Sequence, residues 1–289
     1  MVLRIVIVGP GRVGLAFARQ LQQPGVRLLG CVARTAAPSA ATVAAVAAAA
    51  TGLVAPSVAS TAHVVVFAVG DQDLAAAIAA LAAAAPPRPC ALWLHTSGRH
   101  GLEVFASLAP GCRRGALHPV APFADPVRGQ LALRGAPGVY DGEPRSEHLL
   151  RVLAQRLGLV PVRWPGGDKV LYHAACALAA NGACALFADA VAAFASAAPW
   201  PSGAAAQLTT ALMQAALAAS RDHGAVAALS GPVRRGDAAT VAAHRAQLQR
   251  AAPAVEPAYL VLMQRALALA RAAGLPEALA SQVAAALRR

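Results

Sequence analysis

The chain has 289 residues, enough for one large domain or two ordinary domains that each bury a hydrophobic core. Its formal charge is +12, but the arginines are scattered, aromatic residues make up only 4%, and no basic run carries interleaved aromatics, so we expect no nucleic-acid partner. The excess charge favours small anionic ligands, or simply keeps an alanine-rich protein in solution. Five cysteines without a C-x-x-C pair favour reduced thiols in the cytoplasm and argue against a disulfide framework or a metal site. The opening Met-Val-Leu-Arg leaves no room for a signal peptide before the first predicted strand.

The N-terminal stretch predicts a nucleotide-binding turn. Arg4–Val8 is typical of a buried parallel strand, and Leu15–Leu21 has apolar residues at helical spacing. Between them the pattern G-x-G-x-x-G is formed by Gly9, Pro10, Gly11, Arg12, Val13 and Gly14. In that context the first glycine allows a tight turn, the second lets a pyrophosphate approach, and the third lets the helix lie close to the strand. Free N–H groups and the helix dipole would hold the phosphates. The alternative is a strand-to-helix turn without a ligand.

The end of the second predicted strand, Val26–Ala33, indicates which dinucleotide is preferred. An acidic residue at this point would bind the ribose 2′-hydroxyl of NAD. The sequence instead has Arg34 and Thr35, with Arg12 in the glycine turn, so a 2′-phosphate would meet two guanidiniums and a hydroxyl. We therefore predict NADP as the cofactor. The alternative for Arg34 is a solvated surface arginine.

The rest of the first half alternates between strand and helix patterns. Strands are predicted at Ala62–Val69, Cys90–His95, Gly115–His118, Val139–Tyr140 and Val160–Trp164, with a short one at Leu53–Ala55; helices are predicted at Thr42–Ala50, Leu74–Ala84 and Ser146–Leu157. Ligands of open parallel sheets bind at the carboxyl ends of the strands. Cofactor contacts are therefore expected from Val69, Gly70, Asp71, Thr96 and Ser97.

The pattern becomes helical after Pro165-Gly166-Gly167. Helices are predicted over 168–198, 203–222, 237–251, 256–273 and 276–287. The predicted fold is therefore an α/β domain of Rossmann type, with a doubly wound parallel sheet (1–165), followed by an all-α domain (166–289). The most apolar window, Ala174–Ala198, is interrupted by Asn181 and Asp189, and we interpret it as a buried helix, not a membrane span.

Lys169 is the only lysine in a chain whose other cationic side chains are arginine. A lysine has a pKa that burial can lower towards neutrality, whereas a guanidinium is a poor proton donor. At helical spacing His173 is its neighbour, and Asn181 lies further along a drifting version of the same face. These three residues predict a catalytic site facing a cleft between the domains. The alternatives are chance for the lysine and a hydrogen-bond network between helices for the set.

A second polar segment, Ser230–Asp237, lies between predicted helices. Arg234 and Arg235 on a Gly/Pro-framed turn suit a substrate carboxylate, with Arg235 preferred. Asp237 is expected to cap the next helix. His118 follows a predicted strand end, so substrate contact and a buried structural role are both open; Ser97 is a further candidate for substrate contact.

The motifs Gly9–Gly14, His95–Gly98, Leu117–Pro119, Leu171–Ala175, Asn181 and Gly231–Asp237 together resemble the Rossmann-like proteins that carry a C-terminal domain of unknown function, DUF2520. That family is similar to the 6-phosphogluconate dehydrogenase-like superfamily, which includes ketopantoate, 3-hydroxyisobutyrate and pyrroline-5-carboxylate reductases. The resemblance implies a helical second domain, homodimers that pair through it, and a lysine at the start of its first long helix, which Lys169 matches. The superfamily often has asparagine four residues later, where this chain has His173, and this difference leaves the substrate open.

The sequence therefore predicts an NADP-dependent oxidoreductase that reduces a small 2-oxo acid at the interdomain cleft, with ketopantoate as the best named substrate. Lys169 would donate the proton or stabilise the alkoxide, and His173 and Asn181 would position the carbonyl. The alternatives are a reductase of pyrroline-type imines and a protein that binds NADP as a sensor or scaffold without turnover.

Overall fold

A computed structural model describes residues 2–33, 39–109 and 111–288, and the chain divides into two compact units, Met1–Ala177 and Leu178–Arg289. Within those ranges, the first unit contains one sheet of seven strands. They are β1 (Leu3–Val8), β2 (Val26–Val32), β3 (Val64–Phe67), β4 (Leu92–His95), β5 (Arg113–Pro119), β6 (Pro137–Gly142) and β7 (Val160–Arg163).

The strands lie in the order β2-β1-β3-β4-β5-β6-β7. All neighbours pair in parallel except β5 and β6, which are antiparallel. The predicted Rossmann-type fold is confirmed, with this antiparallel pair as a departure from a purely parallel sheet. Chain order reverses between β1 and β3, and ligands of such sheets bind at this switch point.

The central strands are apolar because helices cover both faces of the sheet. Every residue of β3 and β4 is buried, and so are the last four residues of β1. One core cluster contains Ile5, Leu94 and Leu117, and a second contains Val6, Phe67 and Trp93. The helices of this part are α1 (Arg12–Gln20), α2 (Ala40–Ala48), α3 (Leu74–Ala84), α4 (Pro126–Ala132) and α5 (Glu147–Arg156).

Two details of this unit differ from the sequence prediction. Leu53–Ala55 is not a strand: Leu53 forms a single bridge to Cys31, and the 3₁₀ turn Pro56–Thr61 begins directly afterwards. The proline at residue 56 has no N–H to extend a ladder, which ends the pairing there. Helix α4 was not predicted; Asp125 caps it by accepting bonds from the N–H groups of Val127 and Arg128.

The helical part begins with α6 (Lys169–Ala197), whose first turns belong to the first unit. It continues with α7 (Ala204–His223), α8 (Ala225–Ala228), α9 (Gly231–Arg235), α10 (Ala238–Ala251), α11 (Glu256–Ala272) and α12 (Glu277–Arg288). The core of the second unit is formed by Val233, Val241, Leu267, Ala270, Leu275, Ala280, Val283 and Leu287. The polar segment expected to be a turn is the short helix α9, because Pro232 occupies its first turn and Gly236, with a φ of +74°, ends it.

The prediction that Ala174–Ala198 is a buried helix is correct for its helical state and wrong for its burial. No residue of α6 is buried within the described chain. Alanine and leucine lie on all sides of this helix, and the core of the second unit closes with residues of α9 to α12 instead. By length and composition alone α6 could cross a membrane, with a mean hydropathy of 1.6 over its most apolar window. One such helix is by itself a weak indication of a membrane span.

Candidate active site

In the glycine turn after β1, Gly9 and Gly14 are enclosed by neighbouring atoms, whereas Gly11 faces open space. Gly9 has a φ of +92°, and a Cβ there would lie 2.7 Å from the carbonyl oxygen of Ala68. A Cβ at Gly14 would overlap the carbonyl oxygen of Gly9, so α1 can approach the turn only with glycine at this position. At Gly11 a Cβ would meet no atom within 4 Å. The turn therefore presents bare backbone to open space at Gly11.

The start of α1 has the features of an anion-binding helix end. Gly11 is its N-cap and supplies no side-chain cap, and the first turn contains no acidic residue. The first N–H bond of the helix runs from Leu15 to the Gly11 carbonyl, so the N–H groups of residues 12–14 have no intrahelical acceptor. The guanidinium of Arg12 is exposed, 3.5 Å from the carbonyl oxygen of Phe123. Free N–H groups, the helix dipole and a guanidinium together suit a phosphate.

An apolar cavity of about 300 Å³ lies beside the carboxyl ends of β1 and β2. One wall is an alanine face of α3, formed by Ala76, Ala77, Ala80 and Ala84, whose short side chains leave the space open. The rest of the lining is Val8, Val32, Ala33, Pro56, Val69, Asp73 and Leu81. An apolar slot of this kind accepts a flat heteroaromatic ring. Val69, predicted to contact a cofactor, lines this cavity.

The other predicted cofactor residues of the first unit lie at the ends of β3 and β4. Gly70 is exposed and precedes the 3₁₀ turn Asp71–Asp73. Both the N–H and the hydroxyl of Thr96 donate to the Phe67 carbonyl oxygen, at 3.0 and 3.4 Å. Arg34 and Thr35 lie outside the described residues.

Ser97 shapes the loop after β4. Its hydroxyl oxygen accepts bonds from the N–H groups of Arg99 and His100, at 3.1 and 3.2 Å. Since both bonds use the oxygen as acceptor, the hydroxyl proton is available for a ligand.

Lys169 projects from the first turn of α6 onto the sheet. Its Nζ lies 3.3 Å from Oδ2 of Asp141 on β6 and 4.3 Å from the centroid of the Trp164 ring. Only 12% of its side chain is exposed. Burial lowers the pKa of Lys169 below its usual range, and the charge of Asp141 opposes that fall. The ammonium is therefore held in place at a site where it loses its proton more readily than a solvated lysine does.

His118, at the end of β5, is fixed from two sides. Its Nδ1 lies 2.7 Å from the hydroxyl of Tyr172, and its ring lies so close to Gly98 that a Cβ there would be 2.9 Å from Cε1 and Nε2. The ring of His173 lies edge-on to it, with centroids 6.1 Å apart. Burial, helped by the nearby charges of His173 and Lys169, lowers the pKa of His118 to about 4. His118 is therefore neutral at physiological pH, with Nδ1 engaged and Nε2 left for a ligand.

His95 ends β4 and is fully buried. Its Nε2 lies 3.0 Å from the carbonyl oxygen of Gly101, its ring stacks on Phe105, and its Nδ1 has no hydrogen-bond partner among the described residues. Burial lowers the pKa of His95 to about 4. The neutral ring thus donates through Nε2, which leaves Nδ1 as a buried acceptor.

Strand alternation explains how these groups meet. Leu94, Leu117 and Tyr140 belong to the core on one face of the sheet. The residues that follow them, His95, His118 and Asp141, consequently point to the other face. His95 is opposite Ala116, which is opposite Asp141, so only a methyl group separates the two polar side chains in this register row.

The predicted site residues of the second unit are described by themselves. Asn181 is exposed on α6. Arg234 donates to the carbonyl oxygen of Ala273 at 3.2 Å, whereas Arg235 is exposed and makes no hydrogen bond or ion pair within the described ranges. The predicted cap is confirmed: Asp237 accepts from the N–H of Thr240 at 3.0 Å.

Two residues of this cluster, Asp141 and Trp164, were not singled out from the sequence, and His95 and Tyr172 entered only as members of the motifs His95–Gly98 and Leu171–Ala175. Asp141, Trp164 and Tyr172 contact Lys169 or His118, and His95 lies in the same register row as Asp141. The sequence signal that could have found them is a pattern shared by β4, β5 and β6, in which a polar residue directly follows a buried residue near the strand end. That signal requires the strand order, which the sequence does not contain.

Two family models match the sequence. One is a Rossmann-like domain, over residues 1–120, and the other is the domain of unknown function DUF2520, over residues 137–266. A search of curated proteins found no match.

Several solved structures share the fold. A proposed NADP oxidoreductase from Bacteroides fragilis is 19% identical, with a TM-score of 0.71 over 92% of this chain and 98% of its own. A protein from Thermotoga maritima is 19% identical, with a TM-score of 0.63 over 93% and 98%. The pyrroline carboxylate reductase of Plasmodium falciparum, solved with NADP bound, is 10% identical, with a TM-score of 0.61 over 97% and 98%. At these identities the likeness establishes the fold.

The sheet order agrees with the Rossmann-like match. The chain belongs to the Rossmann-like proteins that carry a C-terminal DUF2520 domain.

Proposed function

We propose that the protein is an NADP-dependent reductase of a small 2-oxo acid. The observation that carries the proposal is the cluster of Lys169, Asp141 and His118 on a sheet whose strand β1 is followed by a glycine turn that is open at Gly11. A nearly buried ammonium can supply the proton for a carbonyl reduction, and a neutral imidazole can supply a hydrogen bond to the carbonyl oxygen.

The cofactor assignment rests on the fit of three features in one unit. The free N–H groups after Gly11 and the Arg12 guanidinium suit the phosphates, and the cavity beside β2 has the size and apolar lining for an adenine ring. Arg34 and Thr35, together with Arg12, would bind a 2′-phosphate and so favour NADP over NAD. When bound, NADPH supplies the hydride.

The chain's own residues would supply the proton and the orientation. Lys169 would donate a proton from Nζ to the carbonyl oxygen of the substrate as the carbonyl carbon becomes a CH–OH centre, and would regain it from solvent. His118 would donate a hydrogen bond from Nε2, since Tyr172 engages Nδ1. His173 and Asn181 would position the carbonyl, and Arg235 would hold the carboxylate because Arg234 is engaged by Ala273. Ketopantoate is the first substrate to test.

The second candidate is a pyrroline-type imine. The fold likeness to pyrroline carboxylate reductases from Plasmodium falciparum and Coxiella burnetii, with TM-scores of 0.61 and 0.57, favours it. In that case Lys169 would protonate the imine nitrogen. From a different class, a sensor or scaffold would bind NADPH and leave it intact.

We also propose a cytoplasmic homodimer that pairs through its helical half, with neither a membrane nor a nucleic-acid partner. Large apolar side chains are exposed along α6 and α7, among them Leu178, Leu212 and Leu217. A second copy of the chain would cover them.

The test combines binding with turnover. Calorimetric titration should give tighter binding of NADP than of NAD, and Arg34→Ala should weaken NADP selectively by about 1–3 kcal/mol. NADPH absorbance should then fall with 2-oxo acids, ketopantoate first. Tighter NAD binding would contradict the cofactor assignment, and intact NADPH across panels of oxo acids and cyclic imines would favour the sensor.

A further inference from the structure

The ammonium of Lys169 is supported by two elements other than its own helix. Asp141 reaches it from β6, at 3.3 Å, and Trp164 presents its ring from the residue after β7. The backbone N–H of Trp164 donates to the carbonyl oxygen of Tyr140 at 2.7 Å, which holds the backbone of Trp164 beside β6. Both supports therefore come from the end of the sheet formed by β6 and β7.

Asp141 has no structural task that would explain its position. The cap of α6 is Asp168, whose Oδ1 accepts from the N–H groups of Val170 and Leu171 at 2.8 and 3.0 Å. Within the described chain, the side chain of Asp141 has its one polar partner in Lys169. A carboxylate that is 27% exposed and bonded to a single ammonium acts on that ammonium.

The charged and titratable groups around Lys169 come from four elements. Asp141 on β6 and Glu103 on the 3₁₀ turn after β4 are acidic, and their charges raise the pKa of Lys169 against the larger effect of burial. His95 on β4 and His118 on β5 have pKa values lowered to about 4 by burial, so both are neutral where a lysine titrates. Asp141 is the acidic group in direct contact.

We propose that Asp141 is a positioning residue that, with the Trp164 ring, holds the Lys169 ammonium in the orientation from which it donates its proton. Asp141 itself does not touch the substrate. The inference rests on the proposed function for its catalytic consequence and on the geometry alone for its effect on Lys169.

The single lysine makes a direct test possible. Protein grown with ¹³C,¹⁵N-lysine gives one lysine side-chain spectrum, and its Cε–Hε signal reports the pKa and the mobility of Lys169 without assignment. The spectra to compare are those of the wild type, Asp141→Asn and Asp141→Glu. Glu143→Gln is the matched control, because Glu143 lies in the same segment and pairs with Arg114 and Arg145.

We expect the pKa of Lys169 to fall further in Asp141→Asn, its Cε–Hε signal to become more mobile, and both to stay unchanged in Glu143→Gln. If the enzyme is active, Asp141→Asn should lower kcat about 10- to 100-fold and leave the Kd for NADPH unchanged. The alkaline limb of its pH profile should move to lower pH, because the pKa of Lys169 falls. Asp141→Glu should restore part of the rate. An unchanged Lys169 pKa in Asp141→Asn, or an equal fall in Glu143→Gln, would overturn the proposal.

A wild-type measurement covers the case in which Asp141→Asn does not fold. Nuclear Overhauser contacts between the Hε protons of Lys169 and the Trp164 ring should be present, and a freely rotating Lys169 side chain would refute the positioning role. The magnetic resonance readouts do not depend on turnover. Failure of the proposed function would therefore leave them intact, and failure of the Asp141 inference would leave NADPH oxidation intact.

Discussion

At the scale of single residues, burial in the fold shifts the pKa values of the side chains in the proposed site. Lys169 is nearly buried, so its neutral form is more accessible than in water, while Asp141 and Trp164 favour the ammonium. This balance is the one expected of a group that gives up a proton and regains it in each turnover.

Replacing Lys169 by Met should lower turnover by about 10²–10⁴-fold, the usual range for loss of a general acid. The Kd for NADPH should barely change, because the glycine turn proposed to hold the phosphates follows β1, away from β6. Lys169→Arg should rescue poorly, because a guanidinium is a weak acid of different shape. The measurement is steady-state NADPH oxidation, with thermal melts to confirm folding. Near-normal turnover in folded Lys169→Met would make the lysine structural and His173 the leading proton donor.

His95 should make the fold sensitive to acid. Its pKa is lowered by burial to about 4 from an ordinary value near 6.5, so the unfolded chain binds a proton at this site before the folded one does. The stabilisation is complete above pH 6.5 and is lost as the pH falls through about 4, on the order of 3 kcal/mol over that interval.

The corresponding variant is His95→Gln, which keeps a donor for the Gly101 carbonyl but cannot titrate. Denaturant unfolding at pH 7, 6, 5 and 4.5 should show a shallower loss of stability for this variant than for the wild type. Parallel curves would show that other groups dominate acid unfolding, of which His118 is the first candidate, because its pKa is lowered to the same value.

At the scale of elements, the strand, turn and helix at the N-terminus contain two glycines that the fold requires and one that leaves space for a ligand. Gly9 is required by its positive φ and by the Ala68 carbonyl after β3, and Gly14 by the Gly9 carbonyl, whereas Gly11 faces open space with a φ that any residue adopts. The three positions of one motif therefore have different physical reasons for glycine.

Gly11→Ala should leave the melting temperature unchanged and weaken NADPH binding by roughly tenfold or more, since the new methyl occupies the space where the phosphates approach. Gly14→Ala should cost about 1–3 kcal/mol of stability, because its Cβ overlaps the Gly9 carbonyl. Gly52→Ala is the control for both, as its Cβ also meets open space but lies outside the turn. Calorimetric titration of NADPH would measure the affinities of the three variants, and thermal melts would measure their stabilities. Equal NADPH affinities for the wild type and Gly11→Ala would count against a phosphate site at this turn.

At the scale of the whole molecule, the exposed apolar surface is concentrated on the first two long helices of the helical half. No residue of α6 and a single residue of α7, Thr209, is buried in the described chain. The core of α9 to α12 closes without them. The exposed apolar side chains of these helices favour an interaction surface, and we propose that a second copy of the chain buries them.

Sedimentation at micromolar concentration should show a dimer, and Leu178→Glu should shift it to monomer, because Leu178 is 77% exposed on α6. Val43→Glu, an equally large change at an exposed valine of α2, should leave the dimer intact. A wild-type chain that remains monomeric across a hundredfold dilution series would refute the assembly. Partition into lipid vesicles, with no dimer in detergent, would favour a membrane contact for α6.

Local sequence determined most of the elements. Periodicity placed α3 at Leu74–Ala84, as observed, and located β1, β2 and each long helix of the second unit to within a few residues. The glycine pattern fixed the turn, because Gly9 and Gly14 act on neighbours in sequence or on the adjacent strand. The lysine count singled out Lys169 without any structure.

The tertiary structure decided what surrounds those residues. Asp141, Trp164, His95 and His118 come from separate parts of the chain, and Asp141 reaches Lys169 from β6, which pairs antiparallel with β5. The alanines of α3 form a cavity wall only because that helix lies beside the ends of β1 and β2. Periodicity records which residues share a face of one strand or helix, but it contains no information on which elements become neighbours. That choice is made by the packing of the whole sheet.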